Sequence, residues 1–87
     1  MKTGKLKYHT VLNRWCIVTE NNEIHYLDPF CLEIGIKIFG FYHACEILYN
    51  DKESNYYVKF LNISFNLKKS CIYDVEFQIW EENMIPF

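Results

Sequence analysis

Cys71-Ile72-Tyr73-Asp74-Val75-Glu76-Phe77-Gln78-Ile79 decides the fold. Its odd positions are apolar or aromatic, while Ile72, Asp74, Glu76, Gln78 and then Trp80 fall on the other phase. A period of two puts alternate side chains on opposite faces of a strand, so one face is core and the other carries two carboxylates. The same alternation runs through Leu32, Ile34, Ile36 and Ile38, interleaved with Glu33, Gly35 and Lys37. Together the two runs predict that Ile34, Ile36, Val75 and Phe77 are buried side by side.

Outward from these runs the chain keeps strand lengths. Phe39-Gly40 makes a tight reversal into Phe41–Tyr49, and residues 50–55 turn that strand into Tyr56–Leu61. Residues 5–8 and 14–19 pair around Thr10–Asn13, and Ile24–Leu27 follows a polar turn as a short third run. The punctuation is Gly4, Asn21-Asn22, Asp28-Pro29, Gly40, Asn50-Asp51 and Asn66, with at most one helical turn near residues 28–32. Seven Tyr and seven Phe favour strand, and their bulk offsets the small core of an 87-residue chain. The expectation is an all-β fold: a small, strongly bent, SH3-like, partly open barrel of five to seven short antiparallel strands. One domain spans residues 1–79, and residues 80–87 form a C-terminal tail.

The net charge of −2 is unevenly spread. Residues 1–19 carry four cations and no acid, 20–58 carry seven acids against two lysines, and Lys59, Lys68 and Lys69 precede a final acidic stretch. A general nucleic-acid binder draws most of its affinity from phosphate neutralisation and is usually basic overall. This chain is not. The start, MKTGKLKYH, lacks the apolar core of a signal peptide, and no apolar run approaches the roughly 20 residues of a spanning helix. A cytoplasmic location is therefore expected, with no membrane partner and with Cys16, Cys31, Cys45 and Cys71 reduced.

A resemblance enters through the order of several short motifs. Gly4-Lys5-Leu6, Asn13-Arg14-Trp15, Ile24-His25-Tyr26-Leu27, Leu32-Glu33-Ile34 and Tyr56-Tyr57-Val58 resemble a family of small proteins of low-GC bacteria, their phages and mobile elements. Its members share a G-x-L-x-Y…R-W-x-I hairpin, and the likeness covers most of residues 3–75. The family has no assigned activity, so the resemblance implies fold and genomic setting only. Asp28-Pro29 stands where the family usually has a glycine, and the tail from Trp80 lies beyond the shared region.

Catalytic and metal chemistry finds little support. Closed zinc sites use paired ligands at short spacing, whereas the cysteines here are 15, 14 and 26 apart and only His43-x-Cys45 is close. Phe41 and Ile47 share that strand face, which reads His43 and Cys45 as core or near-core. Cys31, with His25 six residues earlier, is the nearest nucleophile–base pair, yet nothing marks an oxyanion hole. A buried, small Cys31 is the plainer reading. No enzyme activity, metal or cofactor is expected.

What remains is binding. The leading reading is a small protein that inhibits or modulates a larger protein or ribonucleoprotein by occlusion, through Asp74, Glu76, Gln78, Trp80, Glu81 and Glu82. Trp80 either anchors that contact, because aromatic residues dominate interface hot spots, or folds back with the tail to cover an open end of the barrel. Given the setting the resemblance implies, a host-defence nuclease complex, as in anti-CRISPR action, is the natural class of target. The alternative is a small SH3-like nucleic-acid-binding module using Lys5, Lys7, Arg14, Lys68 and Lys69, with Tyr8, Tyr26, Tyr42, Tyr49 and Tyr57 along an outer groove for base stacking.

Overall fold

The computed structural model describes residues 1–27 and 32–79, without the side chains of Leu32 and Ile79. Eight strands run in the order β1 (Lys2–His9), β2 (Arg14–Thr19), β3 (Ile24–Tyr26), β4 (Leu32–Ile38), β5 (Phe41–Asn50), β6 (Asn55–Phe60), β7 (Ile63–Asn66) and β8 (Tyr73–Ile79). All pairings are antiparallel, and they form one sheet ordered β3-β2-β1-β8-β4-β5-β6-β7. The fold is all-β. Among the described residues no helix is long and apolar enough to cross a membrane.

The strand order has a simple logic. β1–β3 and β4–β7 are two meanders built from local hairpins. β8 is inserted between them, its Tyr73–Phe77 segment pairing with β1 and its Val75–Ile79 segment with β4. Its two-phase pattern suits a central strand: Val75 and Phe77 are fully buried, while Asp74, Glu76 and Gln78 occupy the outer face half-buried. Leu6, Ile17, Ile34 and Ile36 complete the inner face around them.

The bend falls in β5. Phe41–Cys45 pairs with β4, and Glu46–Asn50 pairs with β6, so one strand serves both halves of the sheet. Ile47 and Val58 thereby join Phe77 and Leu6 in a single cluster. Trp15 and Phe77 are buried, and Tyr56, Phe60, Phe65 and Tyr73 pack half-buried against the same cluster.

Two expectations, the strand count and the role of Gly4, need correction. There are eight strands rather than five to seven, because Ile63–Asn66 forms β7 beyond a two-residue turn at Leu61-Asn62. The sheet is bent but not closed into a barrel: β3 and β7 are its two ends in the pairing order. Gly4 is also no punctuation. It lies inside β1, where a Cβ would come within 2.8 Å of Ile17 Cγ2 and 2.9 Å of the Val18 carbonyl oxygen. Glycine is needed there for close approach, not for a turn. The expected helical turn near residues 28–32 falls largely outside the described residues, as does the whole of the C-terminal tail.

Candidate functional site

The outer face of the central strands brings the two predicted residue sets together. Register places Lys5 opposite both Val18 of β2 and Asp74 of β8, and Lys37 of β4 opposite Tyr42 of β5. Lys5 Nζ donates a hydrogen bond to Asp74 Oδ1, closing an ion pair between residues 69 positions apart. The contact holds the Asp74 carboxyl below its ordinary pKa, with Lys37 adding to the effect, and raises the Lys5 ammonium above its own. Glu76 lies over Gly35, its Cγ 3.3 Å from where a Cβ would stand. The carboxylate row expected to be free is therefore partly neutralised and partly packed down.

Around this pair lies an outer-face hollow of about 640 Å³, lined by Lys5, Lys7, Val18, Tyr42, Ile72 and Asp74 among others. Ile72 is 65 % exposed on its floor and rim, and Ile24, opposite Val18, is 50 % exposed. Large apolar groups here alternate with charges, of which Lys5 and Asp74 pair with each other and Lys37 lies over the Tyr42 ring. Cys16 also belongs to this face, between Lys7 and Tyr26 in register, yet it is fully buried. Burial raises its thiol pKa.

The other predicted cations are elsewhere. Arg14 lies 4.1 Å over the Tyr26 ring, and Lys69 lies 4.6 Å over the Tyr8 ring. The Lys68 amide donates to the Tyr73 hydroxyl at 2.8 Å. Lys5, Lys7, Arg14, Lys68 and Lys69 thus do not make one basic patch. The tyrosines are divided as well. Tyr26 and Tyr42 are on the outer face, Tyr8 packs edge-on to Trp15 at 5.7 Å, Tyr49 meets Tyr56 at 5.1 Å, and Tyr57 lines a shallow hollow beside β7. Trp80, Glu81 and Glu82 lie outside the described residues.

A second cleft, of about 420 Å³, sits where the two meanders meet and includes Tyr8, Arg14, Trp15, Asn55, Tyr56 and Lys69. Its geometry is set by Asn55. Trp15 Nε1 donates to Asn55 Oδ1 at 2.9 Å, and Asn55 Nδ2 donates to the Leu67 carbonyl at 2.6 Å. One amide thereby ties β2, β6 and the β7–β8 connection. In the sequence Asn55 reads only as a turn residue, since a link 40 positions away has no local signature.

The sequence-level catalytic and metal candidates come apart in space. His25 faces inward, its ring 5.4 Å from Phe77, with Nε2 buried, unpaired by any hydrogen bond and 4.0 Å from Glu23 Oε1. Cys31 lies outside the described residues. His43 is exposed rather than core, stacked on Phe60 at 5.8 Å, because the inner face of β5 runs past the edge of the covered core there. Cys45 on the same face is half-buried, its thiol pKa pushed up to about 11 by burial. Among the described residues no three His, Cys, Asp or Glu side chains converge as a metal site. No family model matches the chain, and no curated protein or solved structure matches it.

Proposed function

We propose that this chain is a non-enzymatic binding protein that covers a surface of a larger protein or ribonucleoprotein, docking through the outer face of β1, β8 and β4. One observation carries the reading: Ile72 stands exposed beside Tyr42 and Ile24 beside Val18, around the paired charges of Lys5 and Asp74. Apolar groups amid satisfied polar ones can be desolvated on contact without stranding a charge. Lys5 and Asp74 would then set orientation more than affinity. The genomic setting implied by the resemblance makes a host-defence nuclease complex the first class of target to try.

A nucleic-acid-binding module is the second reading, favoured by the cleft that Arg14 and Lys69 line together with Tyr8, Tyr49 and Tyr56. Such rings and cations are what single-stranded bases stack on and phosphates pair with. The two readings separate in one experiment. A partner captured by the wild-type chain should be lost with Ile72→Asp and retained with Lys69→Ala. A gel shift on single-stranded RNA or DNA at physiological salt, abolished by Arg14→Ala and Lys69→Ala and unaffected by Ile72→Asp, would overturn the first reading in favour of the second.

A further inference from the structure

The two longest stretches without Asp, Glu, Lys or Arg are residues 38–45 and 60–67. The fold brings them together, since His43 stacks on Phe60. At this pole Phe39 is 97 % exposed, Leu61 85 % and Phe41 72 %. Phe39 and Leu61 also hold positive φ, at 51° and 52°, which bulky side chains rarely adopt. Neither is explained by the core.

The same pole has an open backbone edge. β6 pairs with β5 only at Glu46–Asn50, so among the described residues no strand pairs with the far edge of Phe41–Cys45. Natural sheets blunt such edges with charge, proline or a cover. Phe41-Tyr42-His43-Ala44-Cys45 carries neither charge nor proline.

We propose that this edge pairs antiparallel with the same edge of a second copy, about a two-fold axis at His43. Self-pairing is an exacting condition, because every group near the axis meets its own kind. This segment satisfies it. Centred on His43, the register sets Phe41 against Cys45 and Tyr42 against Ala44, a large side chain facing a small one at each step. Glu46, the first charge on the strand, then falls opposite Gly40 rather than another charge. Residues of like parity meet, so the inner and outer faces of both sheets continue across the join. Tyr42 borders both this edge and the outer-face hollow, but the edge pairs through its backbone, so the proposal does not rest on the partner-binding reading. With five residue pairs and the flanking Phe39, the interface is at the small end of specific ones and should exchange readily.

Sedimentation of the whole chain from about 1 μM to about 1 mM should show its mass rising towards twice 10.6 kDa. Amides within Phe41–Cys45 should gain protection from hydrogen exchange over the same range. His43→Glu sets two carboxylates face to face and should weaken association at least roughly tenfold, whereas His43→Gln should retain it. Unchanged circular dichroism in both variants confirms that the fold persists. A second edge variant, Ala44→Lys, should act as His43→Glu does and covers the case in which His43→Glu misfolds. A chain that stays monomeric throughout the range overturns the proposal, as does association insensitive to both edge variants. Binding of the monomer to phosphatidylserine vesicles through Phe39 and Leu61, without dimerisation, would assign the pole to a lipid surface instead.

Discussion

Phe77 is fully buried at the seam of the sheet: its neighbours in register are Lys2 on one side and Ile34 on the other. Phe77→Ala should cost about 3–5 kcal/mol, enough to unfold most of the population of so small a domain, which a urea titration would read. The thiols make a gentler test. Cys16 and Cys45 have raised pKa values because burial disfavours the thiolate, the form that reacts. Both should resist an alkylating reagent at pH 8 in the native chain and label fully in denaturant; rapid native labelling of Cys45 would contradict its position against the Ile34 carbonyl. The Lys5–Asp74 pair predicts a pH dependence of definite sign. Asp74 is depressed from its ordinary 3.8, so its contribution to stability is complete above that value and fades as pH falls through the lowered one. Lys5 is raised from 10.5, so its contribution is complete below 10.5 and fades as pH rises through the higher value. Both side chains are well exposed, so the effect is small and screened by salt. Asp74→Asn should flatten the acid side of a melting-temperature profile at low ionic strength and leave little difference at high salt.

At the scale of elements, the hairpins carry the clearest conflict between local preference and observed conformation. Phe39 and Gly40 both sit at positive φ, the sign pattern of a type I′ turn, whose favoured sequence is Asn-Gly. Phe39→Asn supplies that sequence and removes a side chain that touches almost nothing. It should stabilise the domain by about 1 kcal/mol, or roughly 4–8 °C in melting temperature for a chain of this size. A fall in melting temperature would mean that Phe39 packs in a way its exposure denies. The reversal itself was legible because glycine after an alternating run is strong punctuation. Strands β4 and β8 were legible because each buries one face along its whole length. β7 was not: Ile63-Ser64-Phe65-Asn66 does alternate, but four residues directly behind a two-residue turn are too short a run to tell from a loop, and they bury little. The bend in β5 was hidden for a related reason: Phe41, His43, Cys45, Ile47 and Tyr49 keep one phase, and nothing in that phase says where the pairing partner changes. The candidate site shows the same limit. The outward placement of Asp74 and Ile72 followed from their phase, but the Lys5 partner of Asp74 depends on a register set 69 positions away.

For the whole molecule, β8 is both the last strand in the chain and the one that joins the two meanders. β1 and β4 have no pairing with each other; each pairs with β8. Without it, two sheet edges lie open and Val75 and Phe77 leave the core. What remains between the meanders is one hydrogen bond, from Trp15 Nε1 to Asn55 Oδ1, and the part of the shared apolar cluster that does not depend on β8. That hydrogen bond contributes on the order of 1 kcal/mol, and a core without Val75 and Phe77 no longer offsets the ordering entropy of some seventy residues at about 1–2 kcal/mol apiece. A chain ending at Ser70 should therefore fail to fold, showing no cooperative thermal transition, even though every hairpin of both meanders is intact. The kinetics should follow the same topology. The hairpins close locally, but pairing Lys5 with Asp74 closes a loop of nearly the whole chain before any reward from the core arrives. Refolding should lie in the millisecond-to-second range of proteins dominated by non-local strand pairing rather than the microsecond range. Trp15, which bridges the meanders, is the natural probe, with Trp80→Phe isolating its signal in stopped-flow fluorescence. In that variant, Val75→Ala should slow refolding if β8 docks in the rate-limiting step, whereas an effect confined to unfolding would place its docking after the barrier. A truncated chain that melts cooperatively would show instead that the two meanders recognise each other without their shared strand.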